Sequence, residues 1–162
     1  MQRVTEYALL IGVKLGLPDK DLVMLEAAGL LHDFGKIGID EELLLKTDIL
    51  NADDRAEIRL HVIKGYHILS GFEEFREILI GIRHHHEYWD GSGYPEGLSG
   101  ENISLIGRII AIADSYDAMT SERPYRKAKT KEYALDELRK NAGIQFDPKL
   151  VKIFISIIYD RR

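Results

Sequence analysis

The sequence has no cysteine among its 162 residues. Disulfides, zinc–thiolate sites and thiol nucleophiles are therefore excluded, and any metal site must use histidine, carboxylate and water. There is no basic surplus: 22 Lys and Arg stand against 27 Asp and Glu, for a net charge of −5. That argues against binding a nucleic-acid polymer, which needs a basic face to displace counterions. A small anion stays open, since a metal or a few cations reverse the sign locally. No apolar run is long enough to span a bilayer. "YALLIGVKLGL" superficially resembles a signal-peptide core, yet Glu6 precedes it, Lys14 interrupts it and no small-residue cleavage site follows. We read it as helix and expect a cytoplasmic protein with no membrane contact by this domain. Strand-like alternation, repeats and low-complexity tracts are also absent.

What is present is helical spacing. Val4, Ala8, Ile11 and Leu15 form one amphipathic stripe, closed by Gly16 and Pro18. A second helix opens near Asp19, runs through "LVMLEAAGLLHD" and stops at Gly35. Asn51 is a candidate N-cap for a third long helix, with Asp53 and Asp54 in its first turn, reaching Ser70 before Gly71. "EEFREILIGIRHHHEY" makes a fourth and "ISLIGRIIAIADSYDAMT" a fifth, broken by Pro124. Two shorter helices follow, at residues 131–141 and 148–159. The spacing predicts one all-α domain over residues 1–162, of about seven helices. Its longest connection, residues 90–104, is a long glycine-rich loop. Four glycines within residues 91–100 lead us to expect a mobile lid there.

Three of the six histidines are adjacent in "RHHHEYWDGSGYP", residues 83–95. In "LLHDFGK", His32 and Asp33 close an apolar helix, where a carboxylate is costly unless paired. They can reach one metal from two angles, or Asp33 can bridge two metals. Alone, this stretch reads equally well as a helix end capped by a glycine and a lysine. Asp114 follows five apolar residues, so it is expected on a buried helix, where it pairs with a metal or an arginine or caps a neighbouring helix. His61 shares a face with Ile58, Gly65 and Ile68, and Gly65 permits close backbone approach. A lone histidine on such a face is more often a core residue than a ligand. Taken together, His32, Asp33, His61, His85, His86 and Asp114 come from four helices. Four histidines and two aspartates without thiolates suit two borderline metals, iron or manganese foremost, with zinc or nickel as alternatives. Such a pair performs in-line phosphoester hydrolysis.

His32, Asp33 and Asp114 resemble the signature of the HD phosphohydrolase superfamily. "HHEYWDGSGYP" resembles the hallmark of its HD-GYP branch, the cyclic di-GMP phosphodiesterases. The likeness extends through "LLHDFGKIGI", "HVIKGYHIL", "RIIAIADSYDAMTSERPYR" and "AGIQFDPKLV". It implies that His32, Asp33, His61, His85, His86 and Asp114 hold two divalent ions, with Asp33 as the bridge. It implies a metal-bridged hydroxide that opens cyclic di-GMP to pGpG and onward to GMP. Lys36 would contact the scissile phosphate or assist the leaving group, Arg123 and Arg126 would grip phosphate, and Tyr94 would contact the dinucleotide. The loop around Gly93, Tyr94 and Pro95 would dock a diguanylate cyclase domain, and a sensor domain would precede this one in a longer chain. His84 is not counted as a ligand. Two positions depart from the family: Val62 follows His61 where proline is usual, and a first-helix histidine would fall before residue 1. The resemblance therefore implies one metal short of a protein ligand, with slow or absent turnover and retained binding. The alternatives are a cyclic-dinucleotide-binding or cyclase-partner signalling module, and a phosphohydrolase for another cyclic dinucleotide such as cyclic GMP-AMP.

Overall fold

A computed structural model describes residues 2–122 and 127–161. Nine α-helices occur among them: α1 (Gln2–Leu15), α2 (Asp19–Leu31), α3 (Glu41–Leu44), α4 (Ala52–Arg59), α5 (His61–Leu69), α6 (Leu79–His84), α7 (Leu105–Thr120), α8 (Lys131–Lys140) and α9 (Pro148–Asp160). Short 3₁₀ turns lie at Phe34–Gly38, Glu73–Phe75 and Gly100–Asn102. The described residues form no strand, only two isolated bridges, Asp90 with Ser99 and Ala142 with Phe146. The all-α expectation holds.

Burial follows the apolar pattern. Ile109, Ile110, Ala111, Ile112 and Ala113 leave α7 no wide polar face, so it lies at the centre with α1, α6, α8 and α9 packed around it. Val4, Ala8 and Ile11 are the buried stripe of α1. Tyr7, Tyr116 and Phe154 meet edge to face, with centroids 5.0–5.8 Å apart, and fasten α1, α7 and α9 together. The expected cap of α4 is present: Asn51 accepts from the Asp54 N–H while Asp54 accepts from the Asn51 N–H. Asp147 caps α9 and also pairs with Arg108 of α7 at 2.8 Å, tying those helices at one end.

The helices are more numerous and shorter than the spacing predicts. The third is split: the Leu60 N–H bonds to Glu57 three residues back, a tightened turn that ends α4 and lets His61 begin α5. No glycine or proline marks the break. The fourth covers only Leu79–His84, because residues 73–75 form a separate 3₁₀ turn and the chain leaves the helix at His85. The second ends at Leu31, and the Phe34–Gly38 turn takes over. That turn lies directly against α5. A Cβ on Gly35 would overlap the His61 carbonyl oxygen and the Gly65 backbone, so the close approach expected at Gly65 is made by Gly35.

Candidate metal centre

Each helix end just described delivers a side chain to one place. His32 is the C-cap of α2, Asp33 begins the following 3₁₀ turn, His61 opens α5, and His85 is the C-cap of α6 with His86 next in the turn. Asp114 lies within α7. His32, His61 and His85 are nearly fully buried. Their Nδ1 atoms lie 2.8, 2.7 and 2.6 Å from the carbonyls of Gly29, Ile58 and Ile82, each three residues back. A carbonyl can only accept, so Nδ1 carries the hydrogen and donates. For His61 and His85, which burial keeps neutral, that leaves a bare lone pair at Nε2, the orientation that metal-binding histidines adopt.

Those lone pairs converge. The Nε2 atoms of His61 and His85 are 3.4 Å apart, and neither has a proton to share. One Asp33 oxygen lies 3.4 Å from His61 Nε2 and the other 3.5 Å from His32 Nε2. Asp114 Oδ1 lies 3.9 Å from His32 Nε2. His32 Nε2 is fully buried and has no hydrogen-bond partner among the described residues. Ligand atoms of Asp33, His61, His85 and His86 all fall within 4.8 Å of one another. Lone pairs turned toward each other in a buried space repel unless a cation sits between them, so these residues fit a divalent metal. Asp33 faces two histidine groups with its two oxygens, as a bridging carboxylate would.

The protonation states agree. Burial, then the neighbouring imidazoles His86 and His32, pushes the His85 ring well below its ordinary value of 6.5. Burial lowers His61 as well and takes His86 to about 3. Burial acts to raise Asp33, but His32 and Lys36 beside it outweigh that and hold the carboxyl at about 2. His61, His85 and His86 held neutral beside an ionised carboxylate are in the state metal binding requires. The Lys36 ammonium donates to Asp33 at 2.6 Å.

The remaining expected residues are placed as follows. Tyr94 stacks on His86, with centroids 4.9 Å apart and planes at 23°. His84 turns away from the cluster: its Nδ1 accepts from the Ser104 N–H, so its Nε2 donates to Glu96. Arg123 and Arg126 lie outside the described residues. The loop expected to be a mobile lid is instead fastened. Glu87, 2% exposed, accepts from the N–H groups of Glu96 and Leu98 at 2.6 and 3.0 Å. The N–H of Tyr94 bonds to the His86 carbonyl, and that of Gly100 to the Trp89 carbonyl. Gly93 has no room for a Cβ against the backbone of Glu87 and Tyr88. Glu87 is not among the residues that motif and spacing single out. Its available signal is an acid next to a histidine run and ahead of a loop rich in unpaired N–H groups. Arg59, whose guanidinium lies 4.9 Å from the Tyr94 ring, is likewise unmarked by any motif.

Fold and site together define a helical domain whose histidines and aspartates converge from four elements on a candidate metal site. The family model "HD domain" matches residues 1–150. This chain belongs to the HD domain family, whose phosphohydrolases are metal-dependent. It is 43% identical over 154 residues to the cyclic di-GMP phosphodiesterase response regulator RpfG of Xanthomonas campestris, covering 93% of this chain and 40% of that one. It is 38% identical over 152 residues to a cyclic di-GMP phosphodiesterase of Thermotoga maritima, covering 91% and 40%. The crystal structure of the cyclic GMP-AMP-specific phosphodiesterase V-cGAP3 of Vibrio cholerae superposes with a TM-score of 0.77 at 25% identity, over 99% of this chain and 44% of that one. The chain thus spans less than half the length of these relatives. Their names support the HD-GYP resemblance carried by the sequence.

Proposed function

We propose that this chain is a metal-dependent phosphodiesterase domain that opens cyclic di-GMP to the linear dinucleotide pGpG. The observation that carries the reading is the convergence of buried histidine Nε2 atoms on the two oxygens of Asp33. The names of the relatives support cyclic dinucleotides as the substrate class. His61, His85, His86 and Asp33 would hold one divalent ion, and His32, Asp33 and Asp114 a second. Iron or manganese suits nitrogen and carboxylate donors without thiolate. Bound there, the ions supply Lewis-acid stabilisation of the phosphodiester and lower the pKa of water.

The chain's own residues do the rest. Asp33 stays ionised and joins the two halves of the cluster. Lys36, at its side, stabilises negative charge building on the phosphoryl group or on the leaving ribose oxygen. Water adds to phosphorus, one P–O ester bond breaks, and the leaving oxygen takes up a proton. Tyr94 presents an aromatic face beside His86 for the substrate, and Arg123 and Arg126 are assigned to phosphate. The cytoplasmic placement, the cyclase-docking role of the loop and an upstream sensor domain belong to the same proposal.

The test is metal analysis of the purified protein together with turnover of cyclic di-GMP and 3'3'-cGAMP. We expect bound divalent metal and formation of pGpG, both lost in His85→Ala. Preferred turnover of 3'3'-cGAMP would select the second reading, which the V. cholerae relatives named for that substrate support. Full metal loading without turnover of either would replace hydrolysis by a binding role.

A further inference from the structure

A cavity of about 330 Å³ opens beside the histidine cluster and is lined by His85, His86, Asp114 and Tyr94, and also by Arg55 and Arg59. The two arginines are one turn apart on α4 and so project from the same face of that helix. Nearby acids are already engaged: Asp54 pairs with Lys46 at 2.5 Å, and Glu57 with Lys64 at 2.6 Å. Arg59 forms no ion pair among the described residues, and its guanidinium lies 4.9 Å from the Tyr94 ring. His86 stacks on the same ring, its centroid also 4.9 Å away. The guanidinium is therefore at most about 10 Å from a residue of the cluster. A cation with no counterion among the described residues stands within reach of the place where a phosphate would react.

We infer that Arg59 binds the phosphate of a cyclic dinucleotide that is not being cleaved, with Arg55, whose Nη1 donates to the Leu50 carbonyl at 2.6 Å, adding positive charge beside it. The inference rests on the phosphodiesterase reading. A cyclic dinucleotide carries two phosphates in one closed ring, and the histidine cluster can engage only one of them. The other must be neutralised within the same cavity, whose further lining carboxylates, Asp114 and Glu87, offer it no positive charge. Arginine suits the task because its planar fork meets two phosphate oxygens at once. The Tyr94 face orients the fork by a cation–π contact, so less conformational freedom is lost when the ligand arrives. Arg59 thus selects a two-phosphate ring over a one-phosphate nucleotide.

The test is equilibrium binding of cyclic di-GMP and of GMP to manganese-loaded protein, in the parent and in Arg59→Ala, with metal content measured in both. Losing a charge-assisted hydrogen-bond pair should weaken cyclic di-GMP by about tenfold or more, while GMP affinity changes less than about twofold. Metal content should not change. Equal weakening of both ligands, or undiminished binding of cyclic di-GMP, would overturn the inference. A parent protein that binds no cyclic di-GMP would overturn it as well. Binding that depends on Arg59 without hydrolysis would instead remove the catalytic reading and leave this one standing. Hydrolysis that survives Arg59→Ala with undiminished binding would do the reverse.

Discussion

Asp33 carries two demands that most carboxylates never meet together. It is mostly buried, which favours the neutral acid, yet His32 and Lys36 keep it ionised at about 2. Its two oxygens face different histidines, so losing it should disturb both halves of the cluster. Asp33→Ala should release more than one metal ion per chain and lower affinity for what remains by about 10–100-fold. Lys36→Ala should keep its metal and lose turnover, because Lys36 contributes a charge and no ligand atom. Elemental analysis of both variants decides it: equal metal loss in the two would refute the bridge.

At the scale of elements, the chemistry depends on where helices stop. His32, His61 and His85 sit at helix ends, each ring tethered to a carbonyl three residues back, so the backbone sets both the tautomer and the aim. The glycine loop is ordered by a side chain. Glu87 accepts two backbone N–H groups from the far side of the loop, which fixes the turn carrying Tyr94. Glu87→Gln removes the charge and leaves one carboxamide oxygen for two donors. We expect a stability loss of about 1.5–3 kcal/mol. Amide exchange at Glu96 and Leu98 should become faster while metal content holds. Unchanged exchange at those two amides would show that the loop does not hang on Glu87.

For the whole molecule, the cluster is a stability liability that metal relieves. In metal-free protein the folded state keeps His61, His85 and His86 neutral, their pKa values lowered by burial, whereas the unfolded chain protonates them near 6.5. A depressed folded value means the contribution is complete above 6.5 and is lost as pH falls toward about 3, the value of His86. Asp33, held at about 2 against an ordinary 3.8, adds its own loss between those two values, below the interval from pH 7 to pH 4. Melting temperature of the chelated protein should therefore fall between pH 7 and pH 4. Removing the histidines in a His61→Ala, His85→Ala double variant should flatten that slope. The same fall in parent and double variant would place its origin elsewhere.

Much of this protein is legible in its residues alone. Apolar residues at helical spacing determine the class of fold, since a stripe such as Val4, Ala8 and Ile11 can be buried only one way. Histidine and aspartate at costly positions point to the cluster, because a buried polar group demands a partner. Boundaries are harder to see. The break at Leu60 has no glycine or proline, and the early end of α6 lies inside an unbroken helical pattern. Both are decided by packing, which turns His61 inward and lets His85 and His86 leave the helix together. Glycine count suggests a loose loop, yet its order comes from Glu87 and from neighbouring backbone, a long-range choice that local composition does not record. Arg59 is hidden for the same reason. On an exposed helix face it reads as a solvated charge, and only the tertiary fold brings Tyr94 and the cavity to it.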